Sequence, residues 1–352
     1  MRIRIHPIFL LLTLALLAAL PLRAQVSPSM DSPNTPTGAR EQQANDADKP
    51  DAQEEAPQKT FKVGTSIVNL FFTVRDKSGV PDATITQGDC TVTEDKQPRQ
   101  LKNFGLVRDQ PLTLGVLLDT SGSQQTLLGI EQESGKQFLR QVLNPKTDQA
   151  FVMTFDIHAD LAADYTSSLS KLDKALDKAQ INTGVTGGDF IPGLAKPKGT
   201  VLYDAVYLAA HDEFHEEAGR HAMVLLTDGE DEGSDMKIQQ AIEAAQRADA
   251  LVFVLLMYDP RAYGGGTGLG YGGEGQMKKL TEATGGHVYV IGHDGRKLEK
   301  AFDDLALALH SEYVATFTPT KLDGKYHALQ VQCKGDAKVE ARKGYYAVPP
   351  TD

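Results

Sequence analysis

The sequence predicts an α/β fold in which a doubly wound, mostly parallel sheet is inserted in a small β-sandwich-like domain. Between residues 109 and 310, near-continuous apolar runs alternate with amphipathic helical stretches, which is typical of a parallel sheet covered on both faces. Short strands with alternating polarity lie on both sides of this region, at 61–108 and 311–352. Because neither flank is large enough to be stable alone, we expect both ends of the chain to build one β domain.

Composition sets the broad class of the protein. The chain has 352 residues, of which 41% are hydrophobic and 24% are charged, and this length suggests roughly two domains. The composition excludes collagenous, disulfide-rich and wholly disordered chains. With 36 Lys and Arg against 47 Asp and Glu, the net charge is −11. A field of that sign repels a phosphate backbone, so we expect no nucleic-acid partner.

The first 60 residues are predicted to form a leader followed by a linker. Arg2 and Arg4 precede an apolar run at 8–20, and Ala24 offers a small residue before a cut, so residues 1–24 are predicted to be a signal peptide. An uncleaved membrane anchor is the alternative. Residues 25–60 contain almost no large apolar side chain and predict a disordered linker. We therefore expect a secreted, periplasmic or cell-envelope protein with no membrane span after cleavage.

The α/β region, residues 109–310, has a regular order of elements. Its predicted strands are 112–118, 150–155, 222–227, 251–257 and 287–291. Its predicted helices lie near 126–143, 168–179, 201–216, 235–248, 276–284 and 296–309. Ser234 is the expected N-cap of the fourth helix.

The two β flanks each contain one cysteine. Cys90 continues the apolar face of a strand in the first flank, and Cys333 ends a strand predicted at 326–333 in the second. In an oxidising compartment the two residues could form a disulfide between the flanks. Two buried free thiols are equally compatible with the sequence.

Oxygen side chains follow two strands of the predicted sheet. Asp119, Ser121 and Ser123 come directly after the first strand, and Asp228 follows the strand at 222–227. Thr200 opens the helix between them. Ligands of open α/β sheets bind outside the carboxyl ends of the strands, and an oxygen-only donor set suits Mg²⁺. The alternative is that Asp119 and the serines only cap a helix.

The phrases LLDTSGS at 117–123 and LLTDGED at 225–231 carry a family resemblance. Residues 112–231 resemble a von Willebrand factor A (vWA) domain with a metal-ion-dependent adhesion site (MIDAS), whose pattern is Asp-x-Ser-x-Ser, then Thr, then Asp. The resemblance implies a Rossmann-like, doubly wound fold and divalent-metal-dependent protein binding without catalysis. The implied ion ligands are the five residues Asp119, Ser121, Ser123, Thr200 and Asp228.

A narrower resemblance extends over residues 61–347. The phrases VRD at 74–76, TED at 93–95 and RKGYYA at 342–347 look like exported bacterial VWFA-related proteins common in Acidobacteria. This resemblance supports a β domain built from both flanks. The oxygen donors themselves suit Mg²⁺, or Mn²⁺ or Ca²⁺, and neutral hydroxyls leave the ion with net positive charge, so we expect it to bind an exposed Asp or Glu of a protein or peptide partner. The chain departs from the pattern at Gln124, where Met is usual, and in a glycine-rich insertion at 263–275.

Two other functions stay open at this point. One is a metal-dependent hydrolase that uses the same oxygens around a reactive water. The other is a metal-independent scaffold for envelope assembly. The glycine pattern at Gly268, Gly270 and Gly273 formally matches a dinucleotide fingerprint, but in a run so rich in glycine a surface loop is the better interpretation.

Overall fold

The structure is a computed structural model that describes residues 67–107, 110–182, 199–214, 217, 219–259, 272–335, 337–347 and 349. The strands are β1 (Val68–Arg75), β2 (Cys90–Glu94), β3 (Gln97–Pro98), β4 (Leu101–Leu106), β5 (Leu112–Asp119), β6 (Gln149–Phe155), β7 (Ala159–Thr166), β8 (Arg220–Thr227), β9 (Ala250–Met257), β10 (Val288–Gly292), β11 (Tyr313–Phe317), β12 (Tyr326–Cys333), β13 (Lys338–Ala341) and β14 (Gly344–Tyr346). The α-helices are α1 (Leu128–Val142), α2 (Leu169–Lys178), α3 (Leu202–Leu208), α4 (Ile238–Arg247), α5 (Gly273–Thr284) and α6 (Gly295–His310). The predicted signal peptide at 1–24, the linker at 25–60 and most of the glycine-rich insertion lie outside the described residues.

The central sheet has six strands in the order β10-β9-β8-β5-β6-β7. Five of them run parallel, and β7 pairs antiparallel with β6 at one edge. The chain winds outward from β5 in both directions, so the strand order reverses between β5 and β8. This arrangement confirms the predicted doubly wound, mostly parallel sheet.

Helices cover both faces of the central sheet. On β5, Leu114, Val116 and Leu118 point into a core shared with α1, α2 and α6. Leu117 points to the opposite face, into a core shared with α3, α4 and α5. The inner strands β5, β8 and β9 are therefore buried on both sides, which is why their sequences are almost continuously apolar.

Strands from both ends of the chain form two further sheets. Their orders are β13-β1-β11-β4 and β14-β12-β2-β3, so each sheet combines strands that precede and follow the central sheet. Leu70, Phe72, Val92, Tyr313 and Val331 contribute to the core that these strands share. Neither flank builds a sheet from its own strands alone, as the small size of each flank predicts. The exact domain boundaries stay a prediction.

A disulfide joins the two flanks. Cys90 on β2 and Cys333 on β12 lie opposite each other in an antiparallel register, with their Cα atoms 4.0 Å apart. Of the two alternatives that the sequence leaves open, the structure therefore has the bridge.

A buried arginine fastens the flanking sheets to the central one. Arg75 on β1 lies 2.8 Å from a carboxylate oxygen of Glu340 on β13 and 2.8 Å from one of Asp304 on α6. Its guanidinium also donates to the Tyr289 hydroxyl on β10 at 3.0 Å. Arg75 is only 3% exposed. This buried cluster therefore connects β1 and β13 of a flanking sheet with β10 of the central sheet and with helix α6, which packs on that sheet.

Two local predictions are wrong, and one strand was not predicted. The α-helix expected at 201–216 ends at Leu208, and a π-helical turn, Ala209–Glu213, follows it. Ser234 does not cap α4: the N-cap is Lys237, and the Ser234 hydroxyl instead accepts from the Asp204 amide and donates to Asp231. Strand β7 was not expected, because it is a half-exposed edge strand without an apolar run.

In the part of the chain that the structure describes, no helix is long and apolar enough to cross a membrane.

Candidate metal centre

The predicted site lies at the topological switch point of the central sheet. Asp119 ends β5, and Asp228 follows the last residue of β8. These strands are parallel neighbours with Leu118 opposite Leu226, so their carboxyl ends meet at the same edge. The reversal of strand order at this point opens a crevice in which ligands of such sheets bind.

Asp119 lies at the bottom of this crevice and is fully buried. One carboxylate oxygen accepts the Ser121 backbone N–H at 3.0 Å, and the other accepts the Thr227 hydroxyl at 2.6 Å. The same Thr227 oxygen accepts the backbone N–H of Gly229 at 3.0 Å. Thr227 therefore links the Asp119 loop to the loop that carries Asp228, and it was not among the predicted site residues. The only feature of the sequence that could have indicated Thr227 is that it is a polar residue at the end of an apolar strand.

The two serines lie together beside Asp119. A short 3₁₀ turn, Gly122–Gln124, follows Ser121. The hydroxyl oxygens of Ser121 and Ser123 lie 3.0 Å apart. Ser121 is buried, whereas Ser123 is half-buried. The serine pair thus places two neutral oxygen donors at the mouth of the crevice.

The segment around Thr200 is hydrogen-bonded to loops that follow two other strands. The Thr200 carbonyl accepts the backbone N–H groups of Glu232 and Gly233 at 3.0 and 3.1 Å, and the Val201 N–H donates to the Asp156 carbonyl. Thr200 is 5% exposed and Asp228 is 1% exposed. The five predicted ligands therefore lie on three segments that meet at one edge of the sheet, while their role as ligands stays a prediction.

Like charges face each other in this crevice. Burial and the nearby Asp228 carboxylate raise the pKa of Asp119 to about 7, although the Ser121 and Thr227 donors oppose the shift. Burial, together with Asp119 and Asp228, also raises the pKa of Glu131 well above its usual range. Two or three carboxylates that cannot all be ionised without a counter-charge form an environment that favours a cation.

Glu131 is a residue that the sequence reasoning missed. It lies in the first turn of α1, is fully buried, and has no hydrogen-bond partner for either carboxylate oxygen among the described residues. Gln124 is also fully buried, and its amide oxygen has no partner in the same part of the chain. The sequence could have indicated Glu131 only through its position, because it lies on the buried face of α1 with Leu128, Phe138 and Val142.

The donor set fits a hard divalent cation. It combines two carboxylates with three hydroxyls and contains no nitrogen or sulfur, which suits Mg²⁺, Ca²⁺ or Mn²⁺ better than softer metals. Among the described residues, no three His, Cys, Asp or Glu side chains are grouped as metal ligands. A cation here would therefore depend on the hydroxyls of Ser121, Ser123 and Thr200 as well as on the carboxylates.

Raised pKa values predict how stability depends on pH when divalent ions are chelated. The folded protein keeps a proton on Asp119 that the unfolded chain, with a pKa near 3.8, has already released. We therefore expect the free energy of unfolding to fall between about pH 4 and about pH 7, by a few kcal/mol. Urea unfolding with a chelator across this range measures the slope. Asp119→Asn should reduce the slope by the contribution of Asp119, and an equal slope in that variant would contradict the assignment.

Comparison with known proteins gives likenesses in fold. No family model and no curated protein matches the chain. Among solved structures, BatB, a conserved hypothetical protein from Bacteroides thetaiotaomicron, covers 55% of this chain and 97% of its own, with 18% identity and a TM-score of 0.42. A von Willebrand factor type A protein from Catenulispora acidiphila covers 81% of this chain and 74% of its own, with 13% identity and a TM-score of 0.43.

A third similar structure is proximal thread matrix protein 1 from the mussel byssus, solved with a zinc-occupied MIDAS motif. It covers 61% of this chain, with 16% identity and a TM-score of 0.46. The chain spans 50% of the length of that protein.

Proposed function

We propose that the protein is an exported, divalent-metal-dependent binding module of the MIDAS type, which coordinates a carboxylate of a protein partner through its bound ion. The observation that carries the proposal is the crevice between β5 and β8. There the buried Asp119 and Asp228 carboxylates repel each other, and the paired hydroxyls of Ser121 and Ser123 lie at the mouth.

In this proposal, Asp119, Ser121, Ser123, Thr200 and Asp228 hold Mg²⁺, or Mn²⁺ or Ca²⁺. The bound ion supplies a positive centre with a coordination position for an incoming carboxylate. Three of the five donors are neutral hydroxyls, so the donor set does not overcompensate the charge of the ion. A partner that exposes an Asp or Glu therefore matches the site, and adhesion rather than catalysis is its proposed role.

Export is part of the same proposal. Disulfides persist in oxidising compartments and are rare in the cytosol, so the Cys90–Cys333 bridge supports a secreted or envelope location. The leader-like residues 1–24 agree with this location. The motifs at 74–76, 93–95 and 342–347 support membership of the exported bacterial VWFA-related proteins.

The proposal is tested by capture of partners from envelope extracts of the source cells. We expect chelator to abolish capture by the wild-type chain and excess Mg²⁺ to restore it. Asp119→Ala bait should capture nothing specific, whereas Asp160→Ala, which changes an exposed carboxylate on β7, should behave as wild type.

Two results would contradict the proposal. Capture that survives chelation would instead indicate a metal-independent scaffold. Turnover of phosphate or ester substrates that is lost in Asp228→Ala would indicate a hydrolase.

A further inference from the structure

The Glu131 carboxyl differs from two other buried glutamates of the described residues. Burying a carboxyl group without hydrogen bonds is costly, and Glu312 and Glu94 avoid that cost. The fully buried Glu312 lies 2.8 Å from Arg220. Buried Glu94 accepts hydrogen bonds from the Tyr345 hydroxyl and the Thr320 backbone, and Arg99 lies 3.1 Å away. Glu131 alone among these three has neither a cation nor a hydrogen-bond donor within the described residues.

The charged groups that act on Glu131 identify its neighbourhood. They are Asp119 and Asp228, the two carboxylates of the candidate ion site. Helix α1 begins five residues after Ser123, and Glu131 lies in its first turn with its side chain buried. Gln124, whose amide nitrogen donates to the Met257 carbonyl at 3.2 Å, presents a second unpartnered buried oxygen from the same segment. The atoms without a hydrogen-bond partner on Glu131 and Gln124 are all acceptor oxygens, and a nearby cation would stabilise them.

We propose that Glu131 is a third carboxylate of the ion site, a positioning residue that stabilises the bound ion through its charge from outside the set of direct ligands. This inference rests on the proposed function, because it assumes that a divalent ion binds at Asp119 and Asp228. Glu131 stays outside the direct ligand set, since no three acidic side chains are grouped as ligands in the described part of the chain. The charge of Glu131 then strengthens the binding of the ion, while the direct ligand set keeps its three neutral hydroxyls.

Calorimetric titration of Mn²⁺ and Tb³⁺ into wild-type and Glu131→Gln protein tests the inference. Outer-shell partners of a metal are worth about 10–100-fold in affinity, so we expect the variant to bind Mn²⁺ at least about 10-fold more weakly. Because a Coulombic interaction scales with the charge of the ion, Tb³⁺ should lose more, about 30-fold where Mn²⁺ loses about 10-fold. A loss of packing alone would weaken both ions by the same factor.

Glu133→Gln is the matched control. Glu133 lies on the same helix, its side chain is 63% exposed, and it pairs with Lys136 at 2.9 Å. Exposed pairs contribute little, so both ions should bind this variant within about twofold of wild type. Glu131→Met, which also removes the charge but keeps a side chain of similar length, provides a second variant if Glu131→Gln does not fold.

The outcomes separate the two proposals. Unchanged affinities in Glu131→Gln, or equal losses for Mn²⁺ and Tb³⁺, would overturn the role of Glu131 and leave the proposed function standing. A wild-type chain that binds neither ion would overturn the proposed function and this inference with it.

Discussion

Removal of the Cys90–Cys333 disulfide is expected to lower the free energy of unfolding of the protein by about 5 kcal/mol. The two cysteines are 243 residues apart, so the bridge closes a loop that contains the whole central sheet. In the chain-entropy model, a cross-link stabilises a protein by restricting its unfolded state, and the effect grows with the logarithm of loop length. Few single changes in this protein should have a larger effect on its stability.

The bridge lies in the flanking sheets rather than at the candidate ion site. β2 and β12, which carry the cysteines, belong to the flanking sheets, and the central sheet lies entirely within the closed loop. A variant with Cys90→Ala and Cys333→Ala should therefore unfold at a lower urea concentration, while its folded form should bind Mn²⁺ with the wild-type affinity.

Urea unfolding with and without a reductant measures this prediction. The wild-type transition should shift when reductant is added, whereas the double alanine variant should already be shifted and should not respond. An equal midpoint for all four samples would contradict the prediction. Titration of two free thiols in denatured, unreduced protein would show that the bridge does not form.

The same flanks show where sequence reasoning succeeds. Their strands carry alternating apolar residues, such as Leu70, Phe72 and Val74 on β1, and a flank of fewer than 50 residues cannot bury such a face alone. Pairing of the two flanks follows from that requirement. The disulfide does not follow, because its geometry depends on the register of β2 against β12, which only the folded chain fixes.

The central sheet was predictable for a related reason. Strands buried on both faces, such as β5, β8 and β9, must be apolar almost throughout, and such runs are easily seen in a sequence. β7 is half-exposed and pairs along one side only, so its sequence has no comparable pattern. Edge strands are positioned by their neighbour rather than by their own composition.

The candidate site divides in the same way. Asp119, Ser121 and Ser123 are close in sequence, and their spacing alone indicates an oxygen-rich loop. Thr227 and Glu131 belong to the site through contacts and charge that arise only on folding. Their residue types are common at strand ends and in helices, so nothing in the sequence separates them from structural residues.

Replacement of Asp119 is expected to have the largest effect on ion binding. Asp119 is the buried carboxylate of the loop and lies at the switch point of the sheet. Changes to outer-shell partners alone cost about 10–100-fold in metal affinity, so we expect loss of this proposed ligand in Asp119→Ala to weaken Mg²⁺ or Mn²⁺ by more than about 100-fold. Calorimetric titration of either ion measures the loss, and unchanged binding in this variant would contradict the assignment.

Loss of ion binding in Asp119→Ala should occur without unfolding. The substitution removes the repulsion between Asp119 and Asp228, which offsets part of the cost of leaving the Thr227 hydroxyl and the Ser121 N–H without their acceptor. Asp119→Asn retains an oxygen acceptor of similar shape, so this variant should be at least as stable as the wild type near pH 8 in chelator. Thermal unfolding of the three proteins in chelator measures this order, with Asp160→Ala as the surface control. If Asp119→Asn unfolded well below the wild type under these conditions, Asp119 would be a structural residue of the loop rather than a carboxylate kept for a cation.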